Sequence, residues 1–254
     1  PKAVYVMPTL RARGFLSLRL SSRFYYIYKG EYMFERLITL IGEDNVNKLK
    51  KANVLIVGLG GVGGYALETL VRSGIYNLTI VDGDIVELSN LNRQIISKRD
   101  VIGRPKALVA QARTLEINPD VNLKVINQFI SKDNFSLLNI DSFDYVIDAC
   151  DDLNLKMLLI KNADKYKLIS SMGTANKMDM TRFKITTIDK TSYDPLAKII
   201  RKKIKEKKIR TKFKVVSSDE KVMKNGTKLG TIAYMPAVSG LLCASYVIND
   251  IINK

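Results

Sequence analysis

Residues 54–64, Val54-Leu55-Ile56-Val57-Gly58-Leu59-Gly60-Gly61-Val62-Gly63-Gly64, decide how this chain folds. A short β-branched run, a cluster of glycines and then an apolar-periodic segment read as strand, tight turn and helix. Gly58, Gly60 and Gly63 keep the G-x-G-x-x-G spacing of a nucleotide-binding βαβ unit, with Gly61 inside it. One glycine turns the chain, one lets backbone N–H groups approach a phosphate, and one lets helix pack on strand. The helix start then offers unpaired donors to an anion. Such turns also arise for structural reasons alone, so the motif needs support. It comes from a second apolar run, Leu78-Thr79-Ile80-Val81, that ends in Asp82. An acid about 20 residues past the loop is expected to hold a ribose hydroxyl.

Working outward, Asp82 opens the passage DGDIVELSNLNRQ, residues 82–94, with a polar cluster of Asp84, Asn90, Arg93 and Gln94. Asn90 and Arg93 are three apart and share a face on a helical turn. Gly103-Arg104-Pro105-Lys106 opens the next helix, with Pro105 suited to its first turn. Lys106 is thereby placed near a helix N-terminus. A dehydrogenase needs only the acid at the strand end, whereas Arg93 and Lys106 together suit a leaving pyrophosphate. Alone, each reads as an ordinary surface or first-turn cation; with the glycine loop they point to a triphosphate.

Residues 123–126 and 145–148 read as further strands, the second running into Ala149-Cys150-Asp151-Asp152. Acids at the carboxyl end of a parallel strand face the ligand crevice of a doubly wound fold. Asp151 is therefore a candidate Mg²⁺ ligand, since Mg²⁺ takes one or two carboxylates plus phosphate oxygens. The competing reading is that Asp151 or Asp152 caps the next helix. The expected fold is α/β, a Rossmann-like, doubly wound, mainly parallel sheet. Its ATP site lies at the strand carboxyl ends, and an α/β C-terminal extension belongs to the same domain.

Composition narrows the chemistry. The chain has 254 residues and a net charge of +16, which favours a polyanionic partner, nucleic acid or an anionic membrane surface, over a merely solubilising surface. Histidine is absent and there are two cysteines, Cys150 and Cys243. No Ser-His-Asp or Cys-His arrangement can form, nor a disulfide framework or four-thiolate zinc site. Catalysis must rest on carboxylates, lysine, arginine and electrostatic positioning.

The ordered motifs GxGGVG, DxDxVxxxNLxRQ, GxPK and DxxD resemble the adenylate-forming, ubiquitin-activating-enzyme-like superfamily. There a substrate carboxylate attacks the α-phosphate of ATP, giving an acyl-adenylate and pyrophosphate. The resemblance implies ribose contact by Asp82, phosphate contact by Asn90, Arg93 and Lys106, and magnesium at Asp151. It implies also that Arg36 is lent across a homodimer. Members that activate sulfur-carrier proteins usually hold zinc with two C-x-x-C pairs, which this chain lacks. Its TSYDPLAKIIRKKIK from Thr191, KVVSSDEK from Lys214 and GTIAYMPAVSGLLCASYVINDI from Gly230 look like the tRNA threonylcarbamoyladenosine dehydratase branch. That branch adenylates the threonyl carboxylate of a hypermodified adenosine beside the anticodon, and the same side chain then closes a ring and expels AMP. ATP, Mg²⁺ and tRNA are the implied ligands, in the cytoplasm. A mitochondrial or peripheral membrane location and a sulfur-transfer or redox partner are further expectations. Activation of a carrier protein's C-terminal glycine is the alternative. Cys150 is weighed as a covalent acceptor, but intramolecular closure needs no thioester, and both cysteines read as packing residues.

Residues 1–32 are arginine-rich, serine-containing and free of acids before Glu31. They read either as a transit peptide or, preferably, as a segment translated ahead of a start at Met33, with the catalytic domain at 33–254. Residues 36–51 read as a helical preface turning at Gly42. Residues 167–171 and 182–187 read as strands, and Asp194-Pro195 starts a basic helix over about 194–208. From Lys198 to Lys214 the chain carries ten basic residues and one acid. Leu196, Ile200 and Ile204 give it an inward stripe. Lys198, Arg201, Lys202, Lys203, Lys205, Lys207, Lys208 and Arg210 are the candidate tRNA-backbone contacts, set against a merely solvated face. Residues 217–228 read as a mobile polar loop. Residues 229–248 hold no charged residue and read as a buried strand and helix or a dimer interface, in preference to a membrane contact.

Overall fold

The computed structural model describes residues 33–223 and 228–253. The extension at 1–32 and residues 224–227 of the polar loop lie outside them. The chain divides into two units, residues 1–36 and 37–254. Helix α1 spans Glu35–Ile41 and α2 spans Glu43–Lys51, with Gly42 between them at φ 83°. The glycine unit then forms as strand β1 (Asn53–Val57), loop, and helix α3 (Gly63–Arg72), followed by β2 (Asn77–Val81).

The next elements are α4 (Lys106–Ile117), β3 (Asn122–Ile126), β4 (Tyr145–Asp148), α5 (Leu153–Lys161) and β5 (Lys167–Ser171). They are followed by β6 (Phe183–Thr187), α6 (Pro195–Glu206), β7 (Lys214–Ser218) and α7 (Tyr234–Ile252). The strands form one sheet in the order β3-β2-β1-β4-β5-β7-β6, parallel throughout except for β6 against β7. The expected mainly parallel α/β fold is the one observed.

Strands of such a sheet bury both faces, which is why β1, β2 and β4 read as nearly unbroken apolar runs. Period-two alternation sends Val54, Ile56, Ile80 and Ile147 to the layer under α2, α3, α4 and α7. Leu55, Val57, Val81, Val146 and Leu168 go to the opposite layer, under α5 and α6. Strand β1 has β2 on one side and β4 on the other, so chain order reverses there. Register pairs Val57 with Val81 and with Asp148. Gly58, Asp82 and Ala149 therefore leave the sheet at one level, in the crevice where doubly wound folds take ligands.

Three details depart from the sequence reading. Residues 214–218 form a seventh strand that was not anticipated. Ser217 and Ser218, assigned to the polar loop, are buried within it. Residues 229–233 are not a strand, and the apolar tail is the single helix α7 with Pro236 in its first turn. By length and composition alone α7 could cross a membrane, yet half of its apolar window is buried in the fold. Val247, Ala244 and Cys243 lie in the core, and the helix packs along α3.

Candidate active site

The crevice at the β1/β4 switch point is a cavity of about 880 Å³. Gly58, Gly60, Gly61, Asp82, Asp84, Asn90, Arg93, Gln94, Lys106 and Asp151 all line it. Gly63 lies behind the loop, at the start of α3. Arg36, exposed on α1, is not among the lining residues, and its role across a dimer stays a proposal.

Two of the glycines are sterically required. Gly58 has φ 89°, and a Cβ there would lie 2.7 Å from the Ala149 carbonyl oxygen. At Gly63 a Cβ would lie 1.8 Å from the Gly58 carbonyl oxygen. Helix α3 has no side-chain cap at Val62; its Gly64 N–H is bonded to the Gly60 carbonyl at 3.1 Å, and it is the loop residues Gly60, Gly61 and Val62 that bring backbone to the cavity wall, as an anion site needs.

Asp82 does more than end a strand. Its Oδ2 accepts the Leu59 N–H at 2.7 Å and its Oδ1 the Asp84 N–H at 2.8 Å. It thus braces the glycine loop against the next turn, a role the sequence did not reveal. Burial pushes its carboxyl above the usual range, against those two hydrogen bonds and the Lys106 charge. Each oxygen keeps a lone pair for a ribose hydroxyl.

Lys106 is the first residue of α4, after Pro105 at the cap position rather than inside the first turn. Its N–H bonds the Asp84 carbonyl at 2.8 Å, and its Nζ lies 3.0 Å from Asp84 Oδ2, with 8% of the side chain exposed. Asp84 therefore holds the lysine as well as lining the site. Asn90 is buried and closes a capping box, its Oδ1 accepting the Glu87 N–H at 3.1 Å. Arg93 donates through Nη1 to the Ser89 carbonyl at 2.8 Å and to Asn92 at 3.0 Å. Its Nη2 and Nε have no protein partner among the described residues.

Asp151 is exposed on the lining, whereas Asp152 caps α5, accepting the N–H groups of Asn154 at 2.6 Å and Leu155 at 3.0 Å. Asp152 thus takes the capping reading, and Asp151 as a metal ligand stays a proposal. No cluster of three metal-ligating side chains exists among the described residues. The donor set suits an ion that takes one carboxylate and completes its shell with phosphate oxygens and water.

The sequence reading missed the rest of the wall. Gln128-Phe129-Ile130 after β3, Thr174-Ala175 after β5, and Leu229-Gly230-Thr231 complete the lining. Their signal was topological: each follows a strand or precedes α7, with no chemical motif. Beneath the floor, Lys156 Nζ is 3.0 Å from both oxygens of Asp148 and donates to the Ser171 carbonyl at 3.0 Å, fully buried. Burial alone would lower the Lys156 pKa, but the Asp148 carboxylate outweighs it and raises it.

The basic run divides in two. Asp194 caps α6, accepting the Ala197 N–H at 3.0 Å, and also takes the Gly173 N–H at 3.0 Å at the carboxyl edge of the sheet. Over its 12 residues α6 runs back about 18 Å toward the other edge. Lys198, Lys202 and Lys205 are exposed along it, and Lys203 is half-buried. Lys207, Lys208 and Arg210 lie past its end rather than on it, with Lys208 at φ 51°. Lys205, Lys208 and Arg210 rim a second hollow of about 490 Å³ floored by Ile188, Ile204 and Ile209. Arg201 has a second engagement: it is half-buried, and its Nη1 donates to the Thr191 carbonyl at 3.1 Å and to the Thr191 hydroxyl. It clamps the turn before α6 through Nη1, and a tRNA contact by the rest of its guanidinium stays a proposal.

The chain has relatives among known proteins. The chain is 34% identical over 241 residues to the tRNA threonylcarbamoyladenosine dehydratase of Bacillus subtilis, covering 87% of this chain and 95% of that one. It is 32% identical over 180 residues to the molybdopterin-synthase adenylyltransferase of Haemophilus influenzae, covering 70% of this chain and 74% of that one. The crystal structure of Escherichia coli tRNA N6-threonylcarbamoyladenosine dehydratase in complex with ATP superposes with a TM-score of 0.82 at 31% identity, over 87% of this chain and 94% of that one. The ThiF family model matches residues 34–254, and the chain belongs to that family.

Proposed function

We propose that this protein is an ATP-dependent dehydratase of tRNA threonylcarbamoyladenosine. The observation that carries the proposal is one cavity lined together by the glycine loop, Arg93 and Lys106, groups that suit a triphosphate. Exposed lysines on α6 then begin a few residues beyond the Asp194 cap that is tied to Gly173, next to the lining residue Thr174.

In this reading the glycine-loop N–H groups and Arg93 hold the phosphates, and Asp82 holds the ribose. The threonyl carboxylate of the tRNA attacks the α-phosphorus, the α–β bridging bond breaks, and pyrophosphate leaves toward Lys106. A neighbouring atom of the same side chain then attacks the acyl carbon, loses its proton, and expels AMP. Together the two steps remove one water from the nucleoside. Positioning dominates such chemistry, and an aligned intramolecular nucleophile supplies about 7–11 kcal/mol without a covalent enzyme intermediate. Mg²⁺, held by Asp151, would neutralise charge on the phosphates. Homodimerisation, with Arg36 reaching the partner's ATP, belongs to the same proposal, as does a cytoplasmic location. Exposed Leu108 and Leu115, seven residues apart on α4, offer an apolar face for a dimer.

Incubation with ATP and threonylcarbamoyladenosine-containing tRNA, followed by nucleoside mass spectrometry, should show a product lighter by one water. Unchanged nucleoside would overturn the proposal. The similarity to a molybdopterin-synthase adenylyltransferase keeps carrier-protein activation as a second reading. It requires pyrophosphate exchange that depends on the carrier and not on tRNA.

A further inference from the structure

Tyr193 stands out one residue before Asp194, the α6 cap that takes the Gly173 N–H beside the lining residue Thr174. Its φ of 53° lies in the left-handed region that side-chain-bearing residues avoid. Its side chain is nonetheless out in solvent, the residue being 58% exposed. A large aromatic held in an unfavourable backbone conformation without being buried contributes little to the core. Such outliers persist when their surroundings over-determine them, and they cluster at functional sites.

Here both flanks are fixed. On one side the Thr191 hydroxyl donates to the Ile188 carbonyl at 2.7 Å, and Arg201 clamps the Thr191 carbonyl at 3.1 Å. On the other, buried Asp194 is bound by the Gly173 N–H, the Ala197 N–H and Lys177 Nζ at 3.0, 3.0 and 3.3 Å. The ring also has a cation beside it, with Lys221 Nζ 5.3 Å from its centroid. Gly173 precedes Thr174 of the cavity lining, and Lys198, the first exposed lysine of α6, follows five residues after Tyr193. A solvent-facing ring on backbone fixed at both flanks, with an adjacent ammonium and a basic helix following it in the chain, has the make-up of a base-stacking platform. Unpaired loop bases are recognised by stacking on aromatic side chains, with cations taking the neighbouring phosphates.

We infer that Tyr193 stacks an unpaired nucleobase flanking the modified adenosine in the anticodon loop, with Lys221 meeting the adjoining phosphate. The inference rests on the tRNA reading above and names a contact which that reading does not include. It assigns selectivity for an open, single-stranded loop to this residue.

The test compares wild type, Tyr193→Phe and Tyr193→Gly, using tRNA that carries 2-aminopurine beside the target adenosine. Tyr193→Gly removes the ring and accepts the positive φ without strain, so loss of function cannot be ascribed to misfolding. Wild type and Tyr193→Phe should quench the 2-aminopurine on binding, with affinities within about two-fold of each other. Tyr193→Gly should lose the quench and weaken tRNA binding roughly 5- to 150-fold, with ATP affinity unchanged and Tm not lowered. Unchanged tRNA affinity and quench in Tyr193→Gly overturn the inference, as does Tyr193→Phe behaving like Tyr193→Gly. Because binding is read without turnover, wild type that binds and quenches but yields no dehydrated nucleoside refutes the enzymatic reading alone. Absence of tRNA binding refutes both.

Discussion

The Nζ of Lys177 lies 3.3 Å from Oδ2 of Asp194, and neither side chain reaches solvent. The lysine also donates to the carbonyls of Gly173 at 3.1 Å and Ser218 at 3.2 Å. One ammonium thus joins the loop after β5, the end of β7 and the start of α6. These are the cavity wall, the sheet and the basic helix. Removing one member of a buried pair typically costs about 3–5 kcal/mol because the other charge is left uncompensated. Lys177→Met should therefore lower Tm by roughly 6–20 °C, at about 2–4 °C per kcal/mol for a domain of this size. The double variant Lys177→Met/Asp194→Asn should recover part of that loss. Thermal unfolding of the three proteins checks it, and a double variant no better than the single one would contradict the pairing argument.

Lys106 is presented differently. Its side chain is 8% exposed and held on Asp84, whose own side chain is 53% exposed. The lysine is thereby oriented before ATP arrives and need not be ordered by it. Lys106→Ala should lower kcat/KM for pyrophosphate release by about 10²–10³, the range for deleting one transition-state donor. Asp84→Asn should cost less, since it loosens the lysine without removing it. Pyrophosphate assays on both variants decide the order, and an Asp84→Asn loss exceeding that of Lys106→Ala would reverse the assignment.

The division of the basic run makes a third expectation. Lys198, Lys202 and Lys205 are exposed on α6, and Lys202 spends little on Glu206, 3.8 Å away on a solvated face. Reversing all three to Glu should weaken tRNA binding and flatten the dependence of log K on log salt. Each lost phosphate contact removes about 0.7–0.9 from that slope. Arg201→Ala should instead lower Tm and leave the slope unchanged, because its guanidinium serves the Thr191 turn. Titrations between low and moderate salt separate the two classes.

The parts of this protein that were legible in its sequence are those where chemistry dictates residue type at fixed spacing. A phosphate loop needs glycine at Gly58 and Gly63 because a Cβ at either would overlap backbone. Such constraints are local and can be read from one stretch. The strand at 214–218 was missed because Lys214, Ser217 and Ser218 look polar, and only pairing with β5 and β6 buries the serines. The hold of Arg201 on the Thr191 turn was not legible because a cation in a charge run carries no mark of its partners. The carbonyls it serves come from a turn ten residues earlier. Asp82's brace on Leu59 was invisible for the same reason, since contacts across the sheet leave no spacing to read.

Cys150 offers the last test, because it lines the cavity as a candidate covalent acceptor. Its Sγ lies 3.1 Å from Asp148 Oδ1. Burial first, and then the Asp148 carboxylate, push the thiol well above its ordinary pKa, with Lys156 opposing. A group whose folded pKa exceeds its unfolded value stabilises the fold fully below the unfolded value, and that contribution is lost as pH rises through the folded one. The thiol therefore stays protonated through neutral pH, whereas a reactive cysteine needs a depressed pKa. Iodoacetamide should modify native Cys150 more slowly than a free cysteine at pH 7 to 8. Cys150→Ala should keep dehydratase turnover within a few-fold of wild type, since ring closure proceeds on the adenylate itself. Abolished turnover in Cys150→Ala, together with a substrate adduct on Cys150 in the wild-type protein by mass spectrometry, would replace direct closure with a covalent route.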